Sequence, residues 1–500
     1  MKYIRRTNHK IFCVICTAAI MVYFLAPIVL TGCAGVVRSS SDGCSANEII
    51  APGWVQSYQA GYTDSSGHYA GGSEILHLVG HKGKLYAASG YWMDPRNIWY
   101  GGSDIKTGWG QILRLDKPSG KWEVDLDMGP THLRPEILKS ITFITDGKGN
   151  VLKEPVNLLI ASAFSPQQGG TEVNFFVRDD KTGQWEKSKI LSGYTGEWGE
   201  NNSVRCVRVY RDKVTGIEMV FISLGVLGVF SGVYDPDAPG KIRWGSQSES
   251  GRVKTRPLAI IEANGALMFS AGSSVYRRND GESPTYTVVH DLSNIFLREI
   301  SSAVGGIRGL TAIPNPNGKG ESLLFVLGEG GRSRGCIYRL DPDGKGGYTR
   351  TKEACLDSFI TKYLYGNPVY FILAGYNDIL PVVDPSTKET VHLIGFESWI
   401  GGEKFPISQR GAYGGFYAGA MYAIRDKKGK YRLNEVNGFS TLCKPVLVST
   451  RAYVLSPFAE DHNKVIYFGG YDCNDKTSHN TAWIFSTSLE NAIRKDAPRP

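Results

Sequence analysis

The sequence predicts an all-β chain built from repeated four-stranded units, on three observations. First, 60 of the 500 residues are glycine, against a usual share of roughly 7%, and they are scattered among aromatic and β-branched runs with no collagen period. Second, a strand, an Asp-containing turn, a glycine and an aromatic recur in that order. The pattern reads RLDKPSGKWEV from Arg114, VRDDKTGQWEK from Val177, VYDPDAPGKIRW from Val233, YRRNDGESPTYTV from Tyr276, YRLDPDGKGGYTR from Tyr338 and AIRDKKGKYRL from Ala423. Each copy is a polar turn between alternating apolar stretches, as a hairpin requires. Third, another strand pair precedes the hairpins, as in ITFITDGKGNVLKEPVNLLIASA from Ile141, AIIEANGALMFSAG from Ala259 and LTAIPNPNGKGESLLFVLGEG from Leu310. Four strands cannot close a core alone, so the units are expected to stack radially as blades of a β-propeller.

Seven blades are expected, starting near residues 73, 138, 204, 255, 306, 369 and 449. The last ends in KVIYFGGYD and TAWIFSTSL and offers three strands, with no fourth after Leu489. The chain's folded part begins with an orphan segment, Trp54-Val55-Gln56-Ser57-Tyr58. That N-terminal strand is predicted to complete the last blade, which removes the loose edges of an open ring. The propeller is assigned to 53–493, with a tail at 494–500.

The run Ile466-Tyr467-Phe468-Gly469-Gly470-Tyr471, followed by Trp483, resembles the kelch family of propellers. Ser89-Gly90 and Gly328-Glu329 stand where the family has Gly-Gly, so the resemblance implies architecture only. The turns Asp116 to Trp122 and Asp179 to Trp185 are similar to those of sialidase and quinoprotein propellers, where the turn is structural.

Residues 1–32 have the plan of a secretory signal: Lys2, Arg5, Arg6 and Lys10, then an apolar run from Ile11 to Leu30. Leu30-Thr31-Gly32-Cys33 resembles the bacterial lipobox. The resemblance implies cleavage before Cys33, lipidation of its thiol, and a tether over 33–52. Ala34 follows, not the aspartate that commonly retains lipoproteins at the inner membrane, so an outer-membrane location is expected. The alternative is an uncleaved anchor, because about 20 apolar residues can span a bilayer. The chain has 56 basic and 48 acidic residues, an excess of eight. Half of that excess lies in the leader, which argues against a nucleic-acid partner.

Beyond the leader and Cys33 there are six cysteines, Cys44, Cys206, Cys336, Cys355, Cys443 and Cys473. A hairpin turning around Asp343 to Gly347 would place Cys336 opposite Cys355 as a disulfide; the pairing of the others is open. No spacing suits zinc, and the start of an EF-hand at Asp341 and Asp343 lacks its distal glutamate. His77 and His81 lie in a strand and turn, where the helical zinc motif does not apply. No metal or cofactor is expected.

Function is expected on the face that carries the loops from second to third strands and from fourth strands to the next blade. First strands are read as opening at Glu74, Lys139, Arg205, Arg256, Arg308, Asp378 and Arg451. Five of these positions are cationic, and a ring of Lys139, Arg205, Arg256, Arg308 and Arg451 suits a carboxylate, sulfate or phosphate. The competing expectation is that these arginines pair with Glu74, Asp378 and acids of the intervening loops and merely tie neighbouring blades together. Two long loops, Tyr91 to Trp109 and Phe396 to Tyr417, add the ligand-binding candidates Trp92, Arg96, Trp99, Trp399 and Arg410. The leading expectation is therefore a membrane-anchored, monomeric binding protein for an anionic small molecule or glycan. One alternative is a lyase or hydrolase of acidic glycans, with Asp94, Asp472 or His479 moving protons. The other is a scaffold for envelope protein assembly that uses the aromatic loops as its interface.

Overall fold

The computed structural model describes residues 50–91, 108–130, 132–164, 172–192, 204–293, 306–328, 333–363, 369–376, 378–401, 415–438, 447–471 and 480–494. Cys33, with the rest of the leader and most of the tether, lies outside them. So do Trp92, Asp94, Arg96, Trp99, Arg410, Asp472 and His479.

The fold is a β-propeller; among the described strands, pairing gives four separate four-stranded antiparallel sheets, one six-stranded sheet, a small pair of Tyr62–Thr63 with Tyr69–Ala70, and one eight-stranded sheet in which the first and last strand groups join. The innermost strands are Glu74–His81, Arg134–Thr145, Val204–Arg211, Pro257–Ala263, Gly306–Pro314, a split pair Val369–Ala374 and Leu380–Val383, and Val448–Leu455. Five of the blade starts read from the sequence fall within one residue of these strands, and the fourth falls two residues early. The second is displaced: its strand begins at Arg134, and bulges at Pro135/Ile137 and Phe143/Thr145 lengthen it beyond what alternation alone reveals. Apolar side chains fill the space between blades, for example Ile160 and Phe175 of the second against Val220 and Ile222 of the third.

The strand Trp54–Gln59 pairs antiparallel with Trp483–Ser488 as the fourth strand of the last blade. A side-chain relay marks the same relation elsewhere. Trp244 Nε1 donates to Ser188 Oγ of the preceding blade's fourth strand at 2.9 Å, and Trp185 Nε1 donates to Asp125 Oδ2 at 2.8 Å. Trp122 Nε1 donates in the same way to Ser57 Oγ, at 3.0 Å. The chain after Ser488 turns into a short helix, Leu489–Ile493, so no fourth strand follows there.

The recurring turns are structural. Asp146, Asp343 and Asp426 each accept backbone N–H groups two and four residues on, which closes the turn. The arginine just before the turn straps blades together: Arg178 to Asp125, Arg278 to Asp212 and Glu249, and Arg425 to Glu353. The Gly-Gly of the kelch-like run serves packing. A Cβ on Gly469 would meet Ile75 Cγ2 at 2.7 Å, and one on Gly470 would meet the Ser449 carbonyl oxygen at 2.1 Å.

Cys336 and Cys355 face each other on adjacent strands and form a disulfide. Cys206 is a free, buried thiol, and burial pushes it up to about 12. Cys44, Cys443 and Cys473 lie outside the described residues. Replacing Cys336 and Cys355 together by serine is expected to lower unfolding free energy by about 3 kcal/mol, as for a closed loop of this size. Guanidinium melts under non-reducing conditions check this. Equal midpoints for the two proteins would show that the bridge contributes nothing.

Candidate functional site

Arginines at the starts of the innermost strands converge in one buried layer at the channel. The second blade contributes Arg134, not Lys139, because its strand opens five residues earlier than the sequence reading placed it. Arg134 Nε donates to Glu74, its Nη1 donates to Glu136 Oε1 at 2.9 Å, and its Nη2 donates to the Tyr376 hydroxyl at 3.3 Å. Arg205 pairs with the other oxygen of Glu136. Arg451 lies 3.5 Å from Glu74 Oε2 and 3.2 Å from Glu397 Oε2, and it donates to the Tyr471 hydroxyl at 3.1 Å. Tyr471 in turn donates to Glu397. Arg256 and Arg308 complete the layer and are almost fully buried.

Tyr376 stands among these groups because the sixth blade breaks its innermost strand. Both halves pair with the long strand Thr390–Gly401, and the chain between them crosses the layer. Gly375 makes the crossing possible. Its φ is +57°, and a Cβ there would press within 3.4 Å of the Arg308 carbonyl and Gly309 Cα. The Arg451 Cζ lies 3.8 Å from the centroid of the Tyr376 ring, and the Arg308 Cζ lies 5.2 Å from it. Both distances suit a cation over an aromatic face.

Among the described residues the layer thus sets five guanidinium groups against three carboxylates, Glu74, Glu136 and Glu397. The carboxylates lie toward Arg134, Arg205 and Arg451. Burial would lower Arg134 and Arg451, but the neighbouring acids and Tyr376 outweigh it and both are raised. The opposite holds on the other side. Burial, then repulsion from Arg205 and Arg308, lowers Arg256 well below the ordinary arginine value, and burial brings Arg308 down to about 10. Burial alone would raise the Tyr376 phenol, yet Arg451, Arg134, Arg205 and Arg308 overcome it and bring the group to about 7.

Next to the layer lies a cavity of about 650 Å³ walled by all seven innermost strands, with Arg205 and Arg451 in its lining. Lys139 and Asp378 belong to this lumen. They form a 3.0 Å ion pair from the second blade to the sixth, and both are substantially exposed to the lumen. Asp378 therefore pairs with Lys139 and not with an arginine, whereas Glu74 serves the arginines as the competing expectation held. Lys139 lowers the Asp378 carboxyl. His77 Nε2 donates to the Glu136 carbonyl oxygen at 2.9 Å, and burial brings the imidazole down to about 4.

The aromatic candidates fare differently. Residues 396–401, read as loop, belong to the strand Thr390–Gly401, because that strand pairs with both halves of the split innermost strand. Trp399 is half-buried there and stacks on Tyr417 at 6.1 Å. Tyr91, read as an exposed loop aromatic, is 1% exposed. Among the described residues no group of three or more His, Cys, Asp or Glu is placed to hold a metal ion.

No protein-family model and no curated protein sequence matches the chain. Several solved structures are similar to it over most of its length. A Penicillium chrysogenum alpha-L-arabinanase complexed with arabinobiose aligns with 88% of this chain and 99% of its own, at 11% identity and a TM-score of 0.38. A protein of unknown function from Dyadobacter fermentans aligns with 87% and 100%, at 12% identity and 0.38. A fungal alcohol oxidase of the AA5 family, in complex with copper, aligns with 88% and 77%, at 12% identity and 0.41. Likeness at this level carries nothing about chemistry, and the site is read from its own residues.

Three outcomes are expected. In a near-ultraviolet pH titration, one of the 26 tyrosines ionises near pH 7 in the folded protein, and that step is missing in Tyr376→Phe. Because the folded value lies below the ordinary tyrosine value of about 10, the stability gap between wild type and Tyr376→Phe widens as pH rises from about 7 to about 10, and it does not vary with pH below about 7. Glu136→Gln leaves Arg134 and Arg205 short of a counter-charge and is expected to cost about 3–5 kcal/mol. Chemical denaturation measures it, and a loss under about 0.5 kcal/mol would contradict the pairing.

Proposed function

We propose that this is a lipid-anchored envelope protein whose propeller binds an anionic ligand in its central channel, with acidic carbohydrate the ligand class of choice. One observation carries the binding reading. Arg205 and Arg451 belong both to the cation-rich layer and to the wall of the cavity, so an anion in the lumen reaches the layer directly. The cavity's size falls within the range of small-molecule sites, about 300–1,000 Å³. Forked guanidinium donors match the oxygens of a carboxylate or sulfate, and a dry, low-dielectric layer strengthens that contact. The anchor rests on the lipobox-like residues ending at Cys33.

Thermal shift against glucuronate, galacturonate, sialic acid and sulfated sugars tests the binding reading. A true ligand at 100 times its Kd is expected to add about 2.7 kcal/mol of stability. Arg205→Gln is expected to weaken that ligand by about 10-fold or more, the worth of a charge-assisted hydrogen bond. No stabilisation by any of these anions would remove the proposal. Metabolic labelling with a palmitate analogue tests the anchor separately: the label is expected in wild type and lost in Cys33→Ala.

A further inference from the structure

We infer that the ion pair Lys139–Asp378 is the receiving site for a zwitterion, whose carboxylate takes Lys139 and whose ammonium takes Asp378, so that the channel's ligand is an acidic sugar that also carries a free amine. This rests on the reading of the channel as a binding site for an acidic carbohydrate and deepens it by naming the second charge the ligand bears.

The pair is built across the lumen. Lys139 belongs to the innermost strand of the second blade and Asp378 to the break in that of the sixth, and the innermost strands of the first and last blades lie between them. Lys139 Nζ nevertheless reaches Asp378 Oδ2 at 3.0 Å, with the two side chains 39% and 65% exposed. Both line the cavity of about 650 Å³, so the pair stands in the space a lumen ligand would fill. The Asp378 backbone is fixed there. The Tyr453 hydroxyl donates to its carbonyl oxygen at 2.6 Å and accepts from the Gly395 N–H at 3.2 Å. Lys139, by contrast, arrives on a long flexible stem. Asp378 also differs from the other acids of the wall among the described residues. Glu262 pairs with Lys213 at 3.1 Å, and Glu321 accepts from the Asn264 N–H at 2.7 Å, both close to strand ends, whereas the partner of Asp378 is a lysine from across the channel.

An exposed ion pair of this kind contributes little to stability, so it exchanges partners at small cost. A ligand that bears only an anion cannot complete the exchange. It draws Lys139 away from Asp378 and sets a second negative charge beside that carboxylate. Lys139 is the main influence that holds the Asp378 carboxyl below its ordinary value, and His77 and Arg208 contribute less. A ligand ammonium in the place of Lys139 restores the balance, and the ligand carboxylate does the same for the lysine. Both new contacts are charge-assisted hydrogen bonds, the stronger kind. Discrimination follows from the same exchange, because an acid without an amine leaves like charges facing each other.

Matched probes isolate the ammonium. Muramic acid carries a carboxylate and a free amine on one sugar ring, N-acetylmuramic acid keeps the carboxylate and loses the ammonium, and glucosamine keeps the ammonium alone. Full-length protein is titrated calorimetrically with each at about pH 6, below the range in which an amine gives up its proton. Muramic acid is expected to bind at least about 10-fold more tightly than either of the others, the worth of one hydrogen bond to a charged group. In Asp378→Asn the preference over N-acetylmuramic acid is expected to disappear. The wild-type comparison decides alone should that variant fail to fold. Leucine offers the same two charges without a sugar, and binding as tight as that of muramic acid would overturn the assignment to a sugar. Equal affinity for muramic acid and N-acetylmuramic acid would overturn the zwitterion while leaving the anion site intact. Absence of binding by any of the acids would overturn both.

Discussion

Everything at the centre of this molecule follows from one constraint: several guanidinium groups share a small volume from which water is largely excluded. Two unit charges about 5 Å apart at an effective dielectric of about 20 interact by roughly 3 kcal/mol, more than twice the energy of one pKa unit. Charges on this scale cannot be left to solvent. They explain why three glutamates are buried with the arginines, why the sixth blade gives up strand continuity to insert a tyrosine, and why that tyrosine ionises so easily.

The propeller meets this constraint by geometry. Neighbouring first strands run side by side near the axis, so residues far apart in sequence, such as Glu74, Arg134 and Arg451, meet in one layer. The outer parts of the blades repeat the same economy with different residues. There Arg178 and Arg425 reach an acid on the preceding blade, and Trp185 and Trp244 donate to the preceding fourth strand. The outer ion pairs tie a blade to its neighbour, whereas the axial layer gathers five guanidinium groups and three carboxylates from several blades.

Much of this was legible in the sequence. The recurrent Asp turns, the missing fourth strand after Leu489 and the orphan segment at Trp54 sufficed for the fold and for the strand that closes it, because hairpin chemistry is local and repeats. Arg205, Arg256, Arg308 and Arg451 were legible for the same reason, as residues at or near the openings of comparable strands. Arg134 was missed because bulges lengthen its strand, and the alternation around Lys139 looked complete without the extra residues. Glu136 and Glu397 were missed because a buried acid within an apolar strand has no local signature; only the partner on the next blade reveals its purpose. Tyr376 follows a strand that reads as ordinary, and Gly375 is the sole sequence hint that the backbone turns aside there.

The way the ring is fastened has a mechanical side. The strand Trp54–Gln59 holds on to the last blade by one row of backbone hydrogen bonds and by contacts such as Thr487 to Gly53. Any force applied through that strand is borne first by the clasp and not by the blades' interior. The closure of the ring is therefore concentrated in these six residues, and their grip sets how the last blade yields when that strand is loaded.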